Sequence, residues 1–166
     1  MKITSYCILM SNFQSVAEFH RVFGHPNPNT LQKTILEDDP KLAKFRLSLI
    51  EEEFNELKSA VATNDMTEVI DGLADILYVT YGMGVAFGID LDRAFQIVHQ
   101  SNMSKICRTE QEAKDTIEHY KTLPDSPNVQ YRPSPDGKYF VVYNEDTGKI
   151  LKSKYFSLPS FKDMLQ

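Results

Sequence analysis

Cysteine is scarce in this chain: 2 in 166 residues. Cys7 and Cys107 lie far apart with no metal-type spacing. That excludes a disulfide framework and fits a reducing, cytoplasmic setting, although composition leaves a pairing of the two open. Positive charge is also short, with 18 Lys and Arg against 23 Asp and Glu and a net charge of −5. A general nucleic-acid or membrane-surface binder would need the opposite balance. Long apolar runs are missing. The longest weakly polar stretch, Ile76 to Ile89, is broken by Thr80 and three glycines and bounded by Asp75 and Asp90. It falls short of the ~18–20 residues a membrane span needs. Residues Met1 to Met10 lack a long apolar core and a small-residue cleavage site, so they make a poor secretory signal. They read as an extension, with an alternative start and a targeting remnant both open. Repeats and low-complexity tracts are absent.

What is present is helix. The length suggests one domain, large enough to bury a core without staples. Ser11 to Phe23 has helical spacing, with Ser11 or Asn12 as cap and Gly24 as stop. Asn27 to Pro40 reads as a loop with a turn of helix. Pro40 suits the first position of a long helix, Lys41 to Thr63. Asn64-Asp65 forms a turn, with Asp65 or Thr67 capping a helix from about Met66 to the Gly82–Gly88 region. Another helix follows from Leu91 to about Ser101, capped by Asp90 or Asp92. Thr109 to Lys121 opens with a Thr109/Glu112 capping box. The period then changes: Tyr139–Tyr143 and Lys149–Lys152 read as strands around an Asn144–Gly148 turn. The expected fold is mainly α, a helical bundle with a small C-terminal β-hairpin. The expected division is an extension (1–10), a helical domain (11–123), and a loop, hairpin and tail (124–166) packed on that domain.

The stretch from Leu49 to Asp75 carries the chemistry. Glu52, Glu53 and Glu56 share one helix; Glu68, Asp71 and Asp75 share the next. Residues three or four apart are neighbours on a helix face, and like charges there repel. Two such helices packed antiparallel concentrate five or six carboxylates. That arrangement needs water, protons or cations between them. On the first helix Leu47, Ile50, Phe54, Leu57 and Val61 form an apolar stripe, with Glu53 and Glu56 beside it. On the second, the acids are embedded in Val69, Ile70, Leu73, Ala74, Ile76, Leu77 and Val79, which predicts a helix buried on most sides and Asp71 and Asp75 withdrawn from water. Lys58 is the one basic residue between Arg46 and Arg93. A hard divalent cation is the economical partner for acids so placed. The bland alternative, solvated helix acids, suits Glu51, Glu52 and Glu53 taken alone.

Leu49-Ile50-Glu51-Glu52-Glu53-Phe54-Asn55-Glu56-Leu57, followed by Glu68-Val69-Ile70-Asp71-Gly72-Leu73-Ala74-Asp75-Ile76-Leu77-Tyr78, resembles the signature of the all-α nucleoside triphosphate pyrophosphatases. That superfamily includes MazG-like proteins, dimeric dUTPases and phosphoribosyl-ATP pyrophosphohydrolases. The pattern is Glu-Glu-x-x-Glu on one helix and Glu-x-x-Asp on the next. Eleven residues separate Glu56 from Glu68, at the short end for the family. The match is most specific over residues 46–105.

The resemblance implies a Mg²⁺-dependent hydrolase, with Mn²⁺ able to substitute. It would cleave a (d)NTP to (d)NMP and pyrophosphate by attack at the α-phosphate. The substrate would be dUTP or a non-standard nucleotide. Glu53, Glu56, Glu68 and Asp71 would hold the metal, with Asp75 behind them or as an extra ligand. Glu52 would orient or deprotonate water, with Glu53 also in the catalytic set. Asn102 and Lys105 resemble residues near the substrate phosphates, against a bland reading as a polar helix end. The first helix resembles the MazG-like helix that helps form the nucleotide pocket. That gives His20 a substrate-binding reading beside the plainer one of a helix histidine next to Phe19. A homodimer or homotetramer is expected. Phosphoribosyl-ATP pyrophosphohydrolase activity, a non-catalytic metal- or nucleotide-binding module, and a purely structural bundle are the alternatives.

Overall fold

The computed structural model describes residues 10–124 and 126–166; Cys7 and nearly all of the N-terminal extension lie outside them. The chain divides into two compact units, the first reaching Ala94 and including Lys162–Gln166, the second spanning Phe95–Phe161.

The first unit is built on α1 (Asn12–Phe23), α2 (Ile35–Asp38), α3 (Pro40–Thr63) and α4 (Met66–Phe87). Their ends follow from local chemistry. Ser11 and Gln14 form a capping box on α1, and Gly24 closes it with φ 70°. Asp39 accepts from the Leu42 amide at the start of α3, with Pro40 in the first turn. Asn64 takes the left-handed conformation, φ 56°, and lets the chain reverse. The Asp65 carboxylate then accepts from the amides of Thr67 and Glu68 to start α4. Gly88 ends α4 at φ 69°, where the Thr30 carbonyl leaves no room for a Cβ. α3 and α4 thus form an antiparallel hairpin, and α1 packs on α4.

Packing departs from the expected stripe. Leu47, Phe54 and Val61 are 49–63% exposed, whereas Arg46 and Ala60 are buried. The face of α3 that meets α4 runs through Arg46, Glu53, Leu57 and Ala60. Nor is α4 buried on most sides. Gly82 to Phe87 supply its buried residues, apart from Gly72, but Ile70, Leu73 and Leu77 are 51–64% exposed. Asp71 is exposed and Asp75 only partly covered, contrary to the burial predicted for both. The reason is geometric: α1 covers the C-terminal half of α4, whereas among the described residues of the first unit α3 alone packs on the N-terminal half. α4 has the length and apolarity of a bilayer span, but its first three turns carry Glu68, Asp71 and Asp75.

The second unit contains most of α5 (Leu91–Met103), α6 (Glu110–Lys121) and a two-stranded antiparallel sheet, β1 (Val129–Pro133) with β2 (Phe140–Asn144). The hairpin is therefore real, but its first strand lies in the proline-marked stretch read as loop. Val129, Tyr131 and Pro133 alternate properly, and Pro133 sits at the strand end, where its missing N–H costs no internal pairing. The expected Asn144–Gly148 turn also forms, with Gly148 N donating to the Asn144 carbonyl. The segment beyond it adds the Tyr143–Ile150 bridge, in which Asn144 N donates to Lys149 O and Leu151 N to Val142 O. The core is Cys107, Ala113 and Val142, with Ile117, Tyr131, Phe140 and Leu151 around them. Cys107 is wholly buried and has no disulfide partner among the described residues. Thr109 caps α6 as expected, but the Glu112 carboxylate reaches the amide of Arg108, not that of Thr109.

Candidate active site

The helix hairpin of the first unit brings the two acidic elements to face each other. Glu53, partly buried on the α3 side of the contact, is the focus. Its carboxyl is held above the usual carboxylate range, first by desolvation, then by the charges of Asp75, Glu56, Glu52 and Asp71. Two of those four neighbours come from its own helix at i−1 and i+3, and two come across from α4. Glu68 lies further along. It lines an open groove of about 670 Å³ with Glu52, Asn55, Glu56 and Ser59.

Among the described residues, no basic side chain pairs with this charge. Among the described residues, ion pairs join Arg21 to Glu18, Lys114 to Glu110, Lys121 to Glu118 and Lys138 to Asp136, and none involves Glu52, Glu53, Glu56, Glu68, Asp71 or Asp75. Lys58 extends over the Phe54 ring, 5.7 Å from its centroid. Among the described residues, no three Asp, Glu, His or Cys side chains converge closely enough to ligate one ion as they stand. Exposed carboxylates without a counter-charge spread apart by mutual repulsion. The donor set, all carboxylate oxygen on two facing helices, has the chemistry a hard cation requires.

His20 is 2% exposed. Its Nδ1 donates to the Pro26 carbonyl at 2.7 Å, which leaves Nε2 as an acceptor. Burial lowers its pKa, and the Arg46 and His25 charges lower it further against the opposing bond to Pro26. His20 lines a cavity of about 230 Å³ between α1, α3 and α4. Asn102 and Lys105 belong to the second unit, at the end of α5 and just past it, where the Lys105 ammonium donates to the Asn102 side-chain oxygen at 2.7 Å. The sequence reading gives Arg46 no role; the structure makes it the most unusual cation of the first unit. It is 5% exposed, and its Nε and Nη2 have no hydrogen-bond partner among the described residues.

An antiparallel helix hairpin with facing Glu-Glu-x-x-Glu and Glu-x-x-Asp elements defines an all-α nucleotide pyrophosphohydrolase. The family model of phosphoribosyl-ATP pyrophosphohydrolase matches residues 16–102, and the chain belongs to that family. Its hydrolase character follows: the activity is of the nucleotide pyrophosphohydrolase type. An uncharacterised protein of Acanthamoeba polyphaga mimivirus is 36% identical over 94% of this chain and 96% of its own length. That likeness runs well past residue 102, so it takes in most of the second unit as well.

Proposed function

We propose that the protein is a Mg²⁺-dependent nucleoside triphosphate pyrophosphohydrolase, releasing a (d)NMP and pyrophosphate, with dUTP or a non-standard nucleotide as substrate. The observation that carries this reading is the Glu53 carboxyl, crowded by acids from both helices with no basic residue among the described ones paired to them. Glu53, Glu56, Glu68 and Asp71 would hold the metal, with Mn²⁺ able to replace Mg²⁺. Asp75, one turn after Asp71, would orient these ligands or add an oxygen. When bound, the cation neutralises phosphate charge and lowers the pKa of water. Glu52, on the groove side of α3, would take the proton of the attacking water. The water oxygen bonds to the α-phosphorus as its bond to the α,β-bridging oxygen breaks, and pyrophosphate leaves. Asn102 and Lys105 suit a phosphate-contacting role, a lysine ammonium being a natural partner for polyphosphate.

A homodimer or homotetramer is part of this reading. Phe54, Val61, Ile70, Leu73 and Leu77 leave an apolar face on the α3–α4 hairpin that a second copy would cover. A cytoplasmic setting accords with the two cysteines lacking the spacing of a disulfide framework. Hydrolysis of phosphoribosyl-ATP is the second reading, favoured by the family match itself. Pyrophosphate release from a panel of dNTPs, NTPs and phosphoribosyl-ATP, with Mg²⁺ or with chelator, tests both. Release from dNTPs only with metal is expected. Turnover of phosphoribosyl-ATP alone would transfer the assignment to the second reading. Nucleotide binding with no release from any substrate would leave only a binding module.

A further inference from the structure

Helices α1, α3 and α4 each close on a left-handed residue, Gly24, Asn64 or Gly88. The end of α5 is built differently. The chain there reads Met103-Ser104-Lys105-Ile106, with no glycine and no left-handed residue. The helix loosens into three-residue turns: Ser104 N to Ser101 O at 3.1 Å, Lys105 N to Asn102 O at 3.2 Å and Ile106 N to Met103 O at 3.3 Å. Such turns have poorer hydrogen-bond geometry and hold a helix end weakly by themselves. This weak end carries Asn102 and Lys105.

What holds it is a distant stretch of the same unit. Residues Lys152 to Ser157 form neither helix nor strand. Hydroxyls on α5 and α6 grip their backbone. The Ser101 hydroxyl donates to the Ser157 carbonyl at 2.8 Å, and the Ser157 amide donates to the Ser104 hydroxyl at 2.9 Å. That hydroxyl passes its own hydrogen to the Ser101 carbonyl at 2.7 Å. The Ser153 hydroxyl donates to the Ser104 carbonyl at 3.0 Å. Carbonyls that a helix end leaves open are thereby satisfied. On the α6 side, the Lys154 amide donates to Thr116 Oγ1 and the Tyr120 hydroxyl to the Lys152 carbonyl, both at 3.1 Å. Ser101, Thr116 and Ser153 are all buried. Losing one of these hydroxyls leaves a desolvated partner unsatisfied, which costs more than losing an exposed bond.

The Lys105 ammonium donates to the Asn102 side-chain oxygen at 2.7 Å. An ammonium has three donors, so two remain for an oxyanion. Among the described residues, no carboxylate forms an ion pair with it. A lysine side chain has many rotamers to lose on binding, so a support that places it beforehand raises affinity. We infer that Ser101, Ser104 and Ser153 are positioning residues: through the Lys152–Ser157 segment they hold the end of α5 in the form that presents Asn102 and Lys105 to a polyphosphate. The inference rests on the nucleotide reading above. It gives chain beyond residue 102, outside the matched family region, a part in substrate binding.

The test uses the full chain and inorganic tripolyphosphate with Mg²⁺, a ligand with neither base nor sugar, and reads affinity by isothermal calorimetry. Asn102→Ala combined with Lys105→Ala should weaken binding about tenfold or more, the scale of one hydrogen bond to a charged group. Ser153→Ala keeps both side chains but releases the segment, and should weaken binding roughly threefold or more. Added to the Asn102/Lys105 double variant it should change nothing further, because its effect runs through those two side chains. A general loss of folding would multiply with theirs. Ser101→Ala breaks the segment at its other anchor and should behave in the same way, which covers a Ser153 variant that does not fold. Unaltered binding by both serine variants overturns the inference. So do effects that multiply with the double variant, binding that the double variant leaves unchanged, and no binding at all. Metal-dependent turnover of dNTPs alongside any of those results leaves the enzymatic proposal standing. The expected pattern in a protein that hydrolyses no nucleotide upholds the inference and removes the enzymatic proposal.

Discussion

Gly72 of α4 lies directly on Leu57 of α3: a Cβ at Gly72 would come within 3.2 Å of the Leu57 Cβ and 3.3 Å of its Cα. This closest approach sits between the two acidic elements, with Asp71 adjacent to Gly72 and Glu56 adjacent to Leu57. A side chain here must push the helices apart by a few tenths of an ångström. Gly72→Ala should therefore separate the two effects of a helix glycine. Alanine gains ~1 kcal/mol of helix propensity, which offsets the packing cost. Small displacements of catalytic groups are amplified in rate. The expected outcome is a melting temperature within a few degrees of wild type and turnover reduced at least tenfold, measured by calorimetry and pyrophosphate release.

Glu53→Gln and Asp71→Asn should abolish turnover with helicity kept. Each removes one of the mutually repelling carboxylates around Glu53. In metal-free buffer, circular-dichroism melts of both variants should give midpoints no lower than wild type. A clear drop would give these acids a structural role in place of a catalytic one.

His20 contributes a pH dependence of stability whose sign is defined. Its folded pKa lies below the ordinary value of 6.5, so the unfolded chain binds the proton more readily. The stability from neutral buried His20 is fully present above pH 6.5 and is lost as pH falls towards the folded value. Denaturant midpoints should decline below pH 6.5, and His20→Gln should reduce the steepness of that decline.

Arg46 should cost the ligand-free protein stability. Replacing a buried ionic group by an apolar side chain of similar volume is often stabilising, by roughly 1–4 kcal/mol. Arg46→Met is therefore expected to raise the urea midpoint of the ligand-free protein. A lower midpoint would mean that the guanidinium has a structural partner.

Much of this molecule is local, and local chemistry is legible. Ser11, Asp39-Pro40, Asn64-Asp65 and Gly88 set helix ends by capping, fixed φ or left-handed φ, each within a few residues of sequence. The strand pairing was not legible in the same way. Val129–Pro133 and Lys149–Leu151 lie on opposite edges of Phe140–Asn144, and the one that forms a full strand is the one that packs with it against α6. Likewise, Arg46 looks like any surface cation until α1 and α4 close over it.

Sequence by itself determined the helical elements, the hairpin that reverses at Asn64-Asp65, and the presence of two acidic elements on facing helices. These depend on short-range spacing and on charge. Tertiary structure decided which side of α3 faces inward, how much of α4 stays uncovered, and that His20, Arg46 and Gly82 meet in one cavity. Those outcomes depend on which helix covers which, and periodicity alone cannot choose between two apolar faces of the same helix.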